Sequence, residues 1–420
     1  MQLTRRPRSR PARLASLPFL VAVALACAAA NADDSANVPA APTTPIERRT
    51  PKDTATKRVA FEMASYGDSD HVGVVTPSVG MSVDNVIAGA SLRARYLVDV
   101  VSGASVDIVS TASRRWTEIR QAGSVEGEYK PRDFGLAISG STSNEPDYLS
   151  YTVGARMTYD LDAKNTTLLL GYAYGHDTIG RHGTPFAVFA RDLSRTTYAA
   201  GVTQVVDRST VVGLAIDVII ENGDQSKPYR YIPMFAPNVA SVAPLGASID
   251  WVTAHRLPER PLEQLPLTRR RFAFTGRLAH RFDGSAVRVS ERIYDDTWGL
   301  VGSTSDARWI IDVGRRFAIW PHARFHLQSP VSFWQRAYVS RNAGNGGWDL
   351  PEFRTGDREL GPLWTATGGG GIKAFIGSDA DPRTWAISLQ GDAMYTSYQD
   401  DLYLTSRTAV LGALVLEGEL

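Results

Sequence analysis

Cysteine is almost missing from this sequence. Cys27 is the only one among 420 residues, and it lies in a segment with the marks of an export signal. Arg5, Arg6, Arg8, Arg10 and Arg13 form a basic start, Leu14 to Ala29 an apolar stretch, and Ala30-Asn31-Ala32 a small-residue cleavage site. The processed chain, expected to begin near Asp33, therefore has no disulfide, no thiol nucleophile and no thiolate metal ligand. Charge of one sign is also lacking. Of 45 basic side chains five leave with the signal, and those that remain face 44 acidic ones, a net charge of about −4. A nucleic-acid partner is not expected, because phosphate binding needs a positive surface. Long apolar runs are missing beyond Asp33 although 43% of the chain is hydrophobic, so no segment reaches the roughly 18 to 20 residues of a membrane helix. Catalytic signatures are missing too: there is no G-x-S-x-G, H-E-x-x-H, P-loop or Rossmann glycine pattern.

What the chain does have is alternation. In Leu149 to Tyr159 the odd positions are apolar and the even ones polar or glycine. Val212, Leu214, Ile216, Val218 and Ile220 oppose Gly213, Ala215 and Asp217, and near the C-terminus Trp385, Ile387, Leu389, Ala393 and Tyr395 oppose Ser388, Gln390, Asp392 and Thr396. Period two is the signature of a strand with one apolar face. Sixteen such segments follow a Pro-, Ala- and Thr-rich leader. Each spans roughly 10 to 17 residues, beyond the five or six of an ordinary strand and enough for a tilted membrane strand. Tight turns at Asp84-Asn85, Lys130-Pro131-Arg132, Asp160 to Lys164, Asp207-Arg208, Asp283-Gly284, Gly314 to Arg316 and Ser378 to Pro382 alternate with longer connections. The three longest, His176 to Ser194, Asn222 to Thr268 and Ser329 to Pro362, all fall on one side of the sheet. The reading is an all-β fold: a transmembrane antiparallel β-barrel of about 16 strands over residues 56–420, behind a signal peptide (1–32) and a disordered leader (33–55). Its expected setting is the outer membrane of a Gram-negative bacterium, with membrane lipid and the barrel assembly machinery as partners. Tyr148, Tyr159, Tyr172, Tyr174, Trp298, Trp364, Trp385 and Tyr395 are expected in interfacial girdles.

Gly175 to Arg181, Gly223 to Pro233, Arg256 to Pro261, Tyr96 to Asp99 with Ala104 to Asp107, and Phe333 to Tyr338 resemble segments of a bacterial family catalogued as domain of unknown function 3570. The resemblance runs from about Arg58 to the C-terminus. It implies an outer-membrane barrel and carries over no catalytic residue.

Apolar parity toward lipid puts Arg93, Arg95, Asp99, Arg156, Asp217, Arg277, Arg288, Arg292, Asp312, His322, Arg324 and His326 on the lumen face, with Arg58, Glu62, Lys373, Asp392 and Arg407. Two readings stay open. The charges line a polar conduit whose arginine excess favours anionic solutes, or arginine–carboxylate pairs zip the interior shut. His322 and His326 lack a visible third ligand, so polar lining rather than a metal site is expected, and no cofactor is. His176, Asp177 and His182 read as a loop hydrogen-bond cluster. Asp224, Lys227, Tyr229, Arg230 and Tyr231 belong to a loop of roughly 45 residues, expected to fold as a plug or lid, with Arg230 and Lys227 pairing wall carboxylates such as Asp217. Function is read as a channel or transporter for a small solute. The alternatives are a closed barrel serving as surface scaffold or binding protein, and a membrane-embedded hydrolase.

Overall fold

A computed structural model describes residues 55–103, 116–181, 183–342, 347–377 and 384–420. The signal peptide, almost all of the leader, Ala104 to Asp107, His182 and the turn Ser378 to Pro382 lie outside the described residues.

Nine strands come first: β1 (Thr56–Asp68), β2 (Gly73–Asp84), β3 (Ala90–Gly103), β4 (Trp116–Tyr129), β5 (Phe134–Glu145), β6 (Tyr148–Leu161), β7 (Thr166–Ile179), β8 (Arg191–Val205) and β9 (Thr210–Gly223). The two-residue strand β10 (Met234–Phe235) and helices α1 (Pro237–Ala240) and α2 (Ile249–His255) follow. Next are β11 (Thr268–Phe282), β12 (Ser285–Asp296), β13 (Val301–Val313) and β14 (Phe317–Gln328). After the two-residue strands β15 (Tyr338–Val339), β16 (Arg341–Asn342) and β17 (Trp348–Asp349) come β18 (Leu363–Ile376), β19 (Trp385–Tyr398) and β20 (Ser406–Glu419).

The sixteen long strands close into one antiparallel barrel in sequence order, β20 pairing back onto β1 from Arg58↔Glu419 to Asp68↔Ala409. Closure leaves no free edge, as spanning a hydrocarbon layer demands. Alternate positions point outward and are apolar and exposed: Phe61 and Met63 on β1, Leu136 and Ile138 on β5, Tyr151 and Val153 on β6, Leu414 and Leu416 on β20. Pro77 and Pro321, which lack the N–H a ladder needs, sit where the β2–β3 and β13–β14 registers are interrupted.

At one end the connections are tight. Gly284 holds φ +76° between β11 and β12, a conformation that favours glycine. Between β8 and β9 the exposed Asp207 carboxylate accepts the Ser209 N–H at 2.7 Å and the Thr210 hydroxyl at 3.0 Å. These hydrogen bonds, Ser209 first, hold its carboxyl below the usual range.

The Gly368–Gly371 run lies inside β18 in continuous register with β14 and β19, so close packing rather than a bulge is its role. The buried Trp320 indole lies against Gly371, and a Cβ at Gly369 would strike the Gly391 carbonyl.

At the other end two strands run further than their apolar pattern implies. β7 reaches Ile179 and β8 starts at Arg191, so His176 and Asp177 are strand residues rather than loop. Backbone pairing continues above the apolar belt because it does not depend on side-chain polarity. Residues 224–267 and 329–362 fold together there as a cap with its own buried apolar cores. Phe235, Ala247, Val252 and Leu402 pack in one; Leu265, Trp298, Val331 and Leu360 in another. Trp298, expected in a girdle, thus belongs to the cap: it follows β12 and turns inward under the Arg269 guanidinium, 4.2 Å from its ring. Tyr172 sits mid-strand, paired with Tyr198 at 5.5 Å.

Candidate functional site

Second-neighbour strands can share an ion pair only across the concave side of a barrel wall, where side chains converge. Arg95 of β3 meets Glu62 of β1 at 2.8 Å, Arg156 of β6 meets Glu126 of β4 at 3.0 Å, and Arg292 of β12 meets Asp217 of β9 at 3.0 Å. These contacts, with the alternating parity of each strand, place Arg93, Arg95, Asp99, Arg156, Asp217, Arg277, Arg288, Arg292, Asp312, His322, Arg324 and His326 on the inner face.

Most of the charges there are paired. Arg93 contacts Glu126 and Glu128, Arg120 contacts Asp99 at 2.6 Å, and Arg281 binds Asp312. Below the cap the pairs join into a buried girdle. Ser150 donates to Asp177, Arg195 contacts Asp177 and Glu221 at 3.1 Å each, Arg271 contacts Glu221 at 2.8 Å, and Arg269 grips Asp296. Three guanidinium groups and three carboxylates share that low-dielectric space. Stripping one partner from such a set costs about 3 to 5 kcal/mol. Small inward residues beneath, Ala173, Ala199, Ala215 and Ala273, leave room for the long arginine stems.

His176 and Asp177 part company, because alternation sends one out and one in. His176 lies on the outer rim 3.5 Å from Asp192, whereas Asp177 is fully buried in the girdle. His322 and His326 also do different work. His322 is held between Asp306 at 2.9 Å and Asp392 at 2.8 Å, while His326 contacts Thr304 and Gln328.

Four inner-face arginines stand apart. Arg277 (β11), Arg288 (β12), Arg308 (β13) and Arg324 (β14) have no carboxylate within 4.0 Å among the described residues. Arg288 and Arg308 are direct cross-strand partners, Arg277 lies one inward step from Arg288's register, and Arg324 one inward step from that of Arg308. Parity in the sequence would have found Arg308 beside the other three, as it would Arg195, Glu221, Arg269, Arg271 and Asp296.

The cap is tied to the rim on opposite sides. Tyr229 donates to Asp147 in the β5–β6 turn, Arg191 contacts Asp224 at 2.7 Å, and Arg358 contacts Asp70 in the β1–β2 turn at 3.0 Å. Ala247 donates its backbone N–H to Leu402 in the β19–β20 connection. Counted around the ring, the β5–β6 turn faces the β14–β18 gap from which the second cap loop rises, so the paired loops must cross the mouth. Arg230 contacts Glu263 at 3.0 Å and Asp357 at 3.1 Å, both in the cap. The expected Arg230–Asp217 pair is absent because Arg292 holds Asp217 deeper in the wall. Lys227 likewise works inside the cap, its backbone N–H on Glu263, and Tyr231 is half exposed beneath Arg260. Burial opposes the Asp357 charge, but the Arg230 guanidinium and the Glu359 N–H outweigh it and hold the carboxyl below its usual range. Tyr338 bridges the Phe333 carbonyl and the Thr355 N–H, and burial pushes its phenol up to about 12.

One carboxylate faces the other way. Glu291 leaves the outer face of β12 midway along the apolar belt, level with Gly276 of β11 and Ser305 of β13. Ser303 donates to it at 2.5 Å, as does Ser305. The alternation Val287, Val289, Glu291, Ile293 was its signal in the sequence.

Among solved structures the chain is similar in fold to the siderophore receptor PirA from Acinetobacter baumannii, with 11% identity over 83% of this chain and 54% of that one and a TM-score of 0.40. It is similar to CdiB from Acinetobacter baumannii, with 9% identity over 87% of this chain and 60% of that one and a TM-score of 0.45. It is also similar to OccK5 (OpdH) from Pseudomonas aeruginosa, with 7% identity over 87% of this chain and 98% of that one and a TM-score of 0.37. The chain spans little more than half the length of the siderophore receptor. No curated protein sequence matches it. Residues 113–380, more than half of the chain, match the family described as "Protein of unknown function (DUF3570)", and the protein belongs to that family.

Proposed function

We propose that this barrel resides in the outer membrane of a Gram-negative bacterium, after signal cleavage near Ala32, and passes a small hydrophilic solute under a cap that gates its outer mouth. The observation that carries the reading is the pairing of a charged inner face with a folded cap crossing the mouth, tied to Asp147 on one side and Asp70 on another. Long ordered loops on one side and tight turns on the other set the cap outward and the turns toward the periplasm. The apolar outer wall takes membrane lipid as its solvent, and the alternating β20, with Val410, Leu414 and Leu416 outward, is what the assembly machinery reads.

A closed surface-binding barrel is the second reading, favoured by the apolar cores of the cap, which a permanent lid would also need. Single-channel recording in planar bilayers separates the two. The native protein and a variant with residues 224–267 replaced by a short glycine–serine linker are compared. Conductance that appears or rises on removing the loop supports the gated channel. Silence from both removes it in favour of the binding barrel.

A further inference from the structure

We propose that Arg277, Arg288, Arg308 and Arg324 form a binding strip for a small oxyanion on the inner wall of β11 to β14, an inference that rests on the solute-barrel reading and names its solute class.

Elsewhere on the inner face of the barrel strands, arginine and lysine side chains meet a carboxylate: Arg58 with Asp84, Arg95 with Glu62, Arg292 with Asp217, Lys373 with Glu417, Arg407 with Glu359. The four exceptions are not scattered. They occupy four consecutive strands, and the register sets them in a shallow arc, Arg288 and Arg308 level with each other and Arg277 and Arg324 on either side, each one inward step nearer the cap. Arg288 and Arg308 leave the same face directly opposite each other. Like charges in that relation destabilise a sheet unless something of opposite sign joins them. The nearby carboxylates are already engaged. Asp306 and Asp392 both hold His322, and Gln390 donates to Asp392 at 2.6 Å. Asp217 serves Arg292 and Asp312 serves Arg281. Four guanidinium groups thus face two carboxylates already shared with an imidazole, and the strip keeps a positive excess.

Guanidinium forks match planar or tetrahedral oxyanions, donating two parallel N–H bonds to carboxylate or phosphate oxygens. Arg277 is exposed to the lumen, and Arg288, Arg308 and Arg324 are half-buried, so the donors are accessible while their surroundings strengthen the attraction above its value in water. The strip lies on the strands themselves, which fixes donor spacing better than a loop would.

The test uses the full processed chain, with Arg288→Gln/Arg308→Gln as the probe variant and Arg288→Lys/Arg308→Lys as the charge-retaining control. Heat-modifiable gel migration verifies that each barrel has formed. Two measurements are made: equilibrium binding of inorganic phosphate, and separately of succinate, by titration calorimetry in detergent; and reversal potentials in a potassium chloride gradient. The native protein is expected to bind at least one of the two anions and to prefer chloride over potassium. The glutamine variant should bind it about a hundredfold more weakly, the effect of removing two charge-assisted hydrogen bonds at about tenfold each, and should no longer prefer anions; the lysine variant should keep that preference. Binding of one anion alone assigns the strip to phosphate or to carboxylate. Unaltered binding and selectivity in the glutamine variant, or no binding of either anion by the native barrel, overturns the strip. Absence of conductance, together with anion binding that the glutamine variant weakens to that extent, keeps the strip and discards the channel.

Discussion

Arg358 donates to Asp70 at 3.0 Å across 288 positions of sequence, fastening the second cap loop to the turn between the first two strands. The Tyr229–Asp147 hydrogen bond fastens the first loop on another side. Both contacts lie outside the strands, so removing them should loosen the cap, leaving Arg191–Asp224 and Ala247–Leu402 as its ties, and spare the barrel. In Tyr229→Phe/Arg358→Gln we expect the cap to lose about 2 to 4 kcal/mol of its hold. Added protease should then cut within 224–267 on intact cells, where the native cap resists, while heat-modifiable migration is retained. Equal resistance of native and variant proteins would show that the apolar cores and the remaining ties, Arg191–Asp224 and Ala247–Leu402, suffice to hold the cap.

The cap should also loosen in acid. The Asp357 carboxyl is held below its unfolded value by Arg230 and the Glu359 N–H. Its contribution is therefore fully present above the unfolded carboxylate value of about 3.9 and is lost as pH falls through the lower folded value. Amide exchange in the cap should accelerate below about pH 4 relative to pH 7 once corrected for intrinsic rates, and Asp357→Asn should flatten that change. An identical acid response in the variant would assign it to other carboxylates.

A lipid-facing carboxylate costs stability, and Ser303 and Ser305 offset only part of it. Glu291→Leu is expected to stabilise the barrel against urea in lipid vesicles by about 1 kcal/mol. Destabilisation instead would mean that Glu291 contributes a contact worth more than its desolvation.

Neighbouring glycines of β18 should respond oppositely to the same substitution. A Cβ at Gly368 meets nothing within 4 Å, whereas at Gly369 it would strike the Gly391 backbone carbonyl and the Asp392 backbone. Gly368→Ala should assemble normally; Gly369→Ala should lose about 2 kcal/mol or more, on the order of other overpacked sites, and accumulate as unfolded protein on gels. Similar yields of folded barrel from both would refute the close-packing role of this run.

The order of residues by itself determined the barrel and its two faces. Successive side chains of a strand leave opposite sides whatever surrounds them, so the parity of Tyr151 and Val153 against Arg156 already separates lipid from lumen. Sixteen alternating segments and the parity of loop lengths then leave little choice of topology. Pairing belonged to the tertiary structure. Arg230 meets Glu263 and Asp357 rather than Asp217, and Arg195 meets Glu221, because register and curvature choose partners among many charges of equal sequence likelihood. The same holds for the four arginines left without a carboxylate, since parity places them inside but only the closed wall shows which neighbours are already taken. The crossing of the cap also required the fold. Its anchors Asp70 and Asp147 lie in short turns whose composition marks them only as turns, and it is barrel closure that brings them around the mouth to meet loops far along the chain.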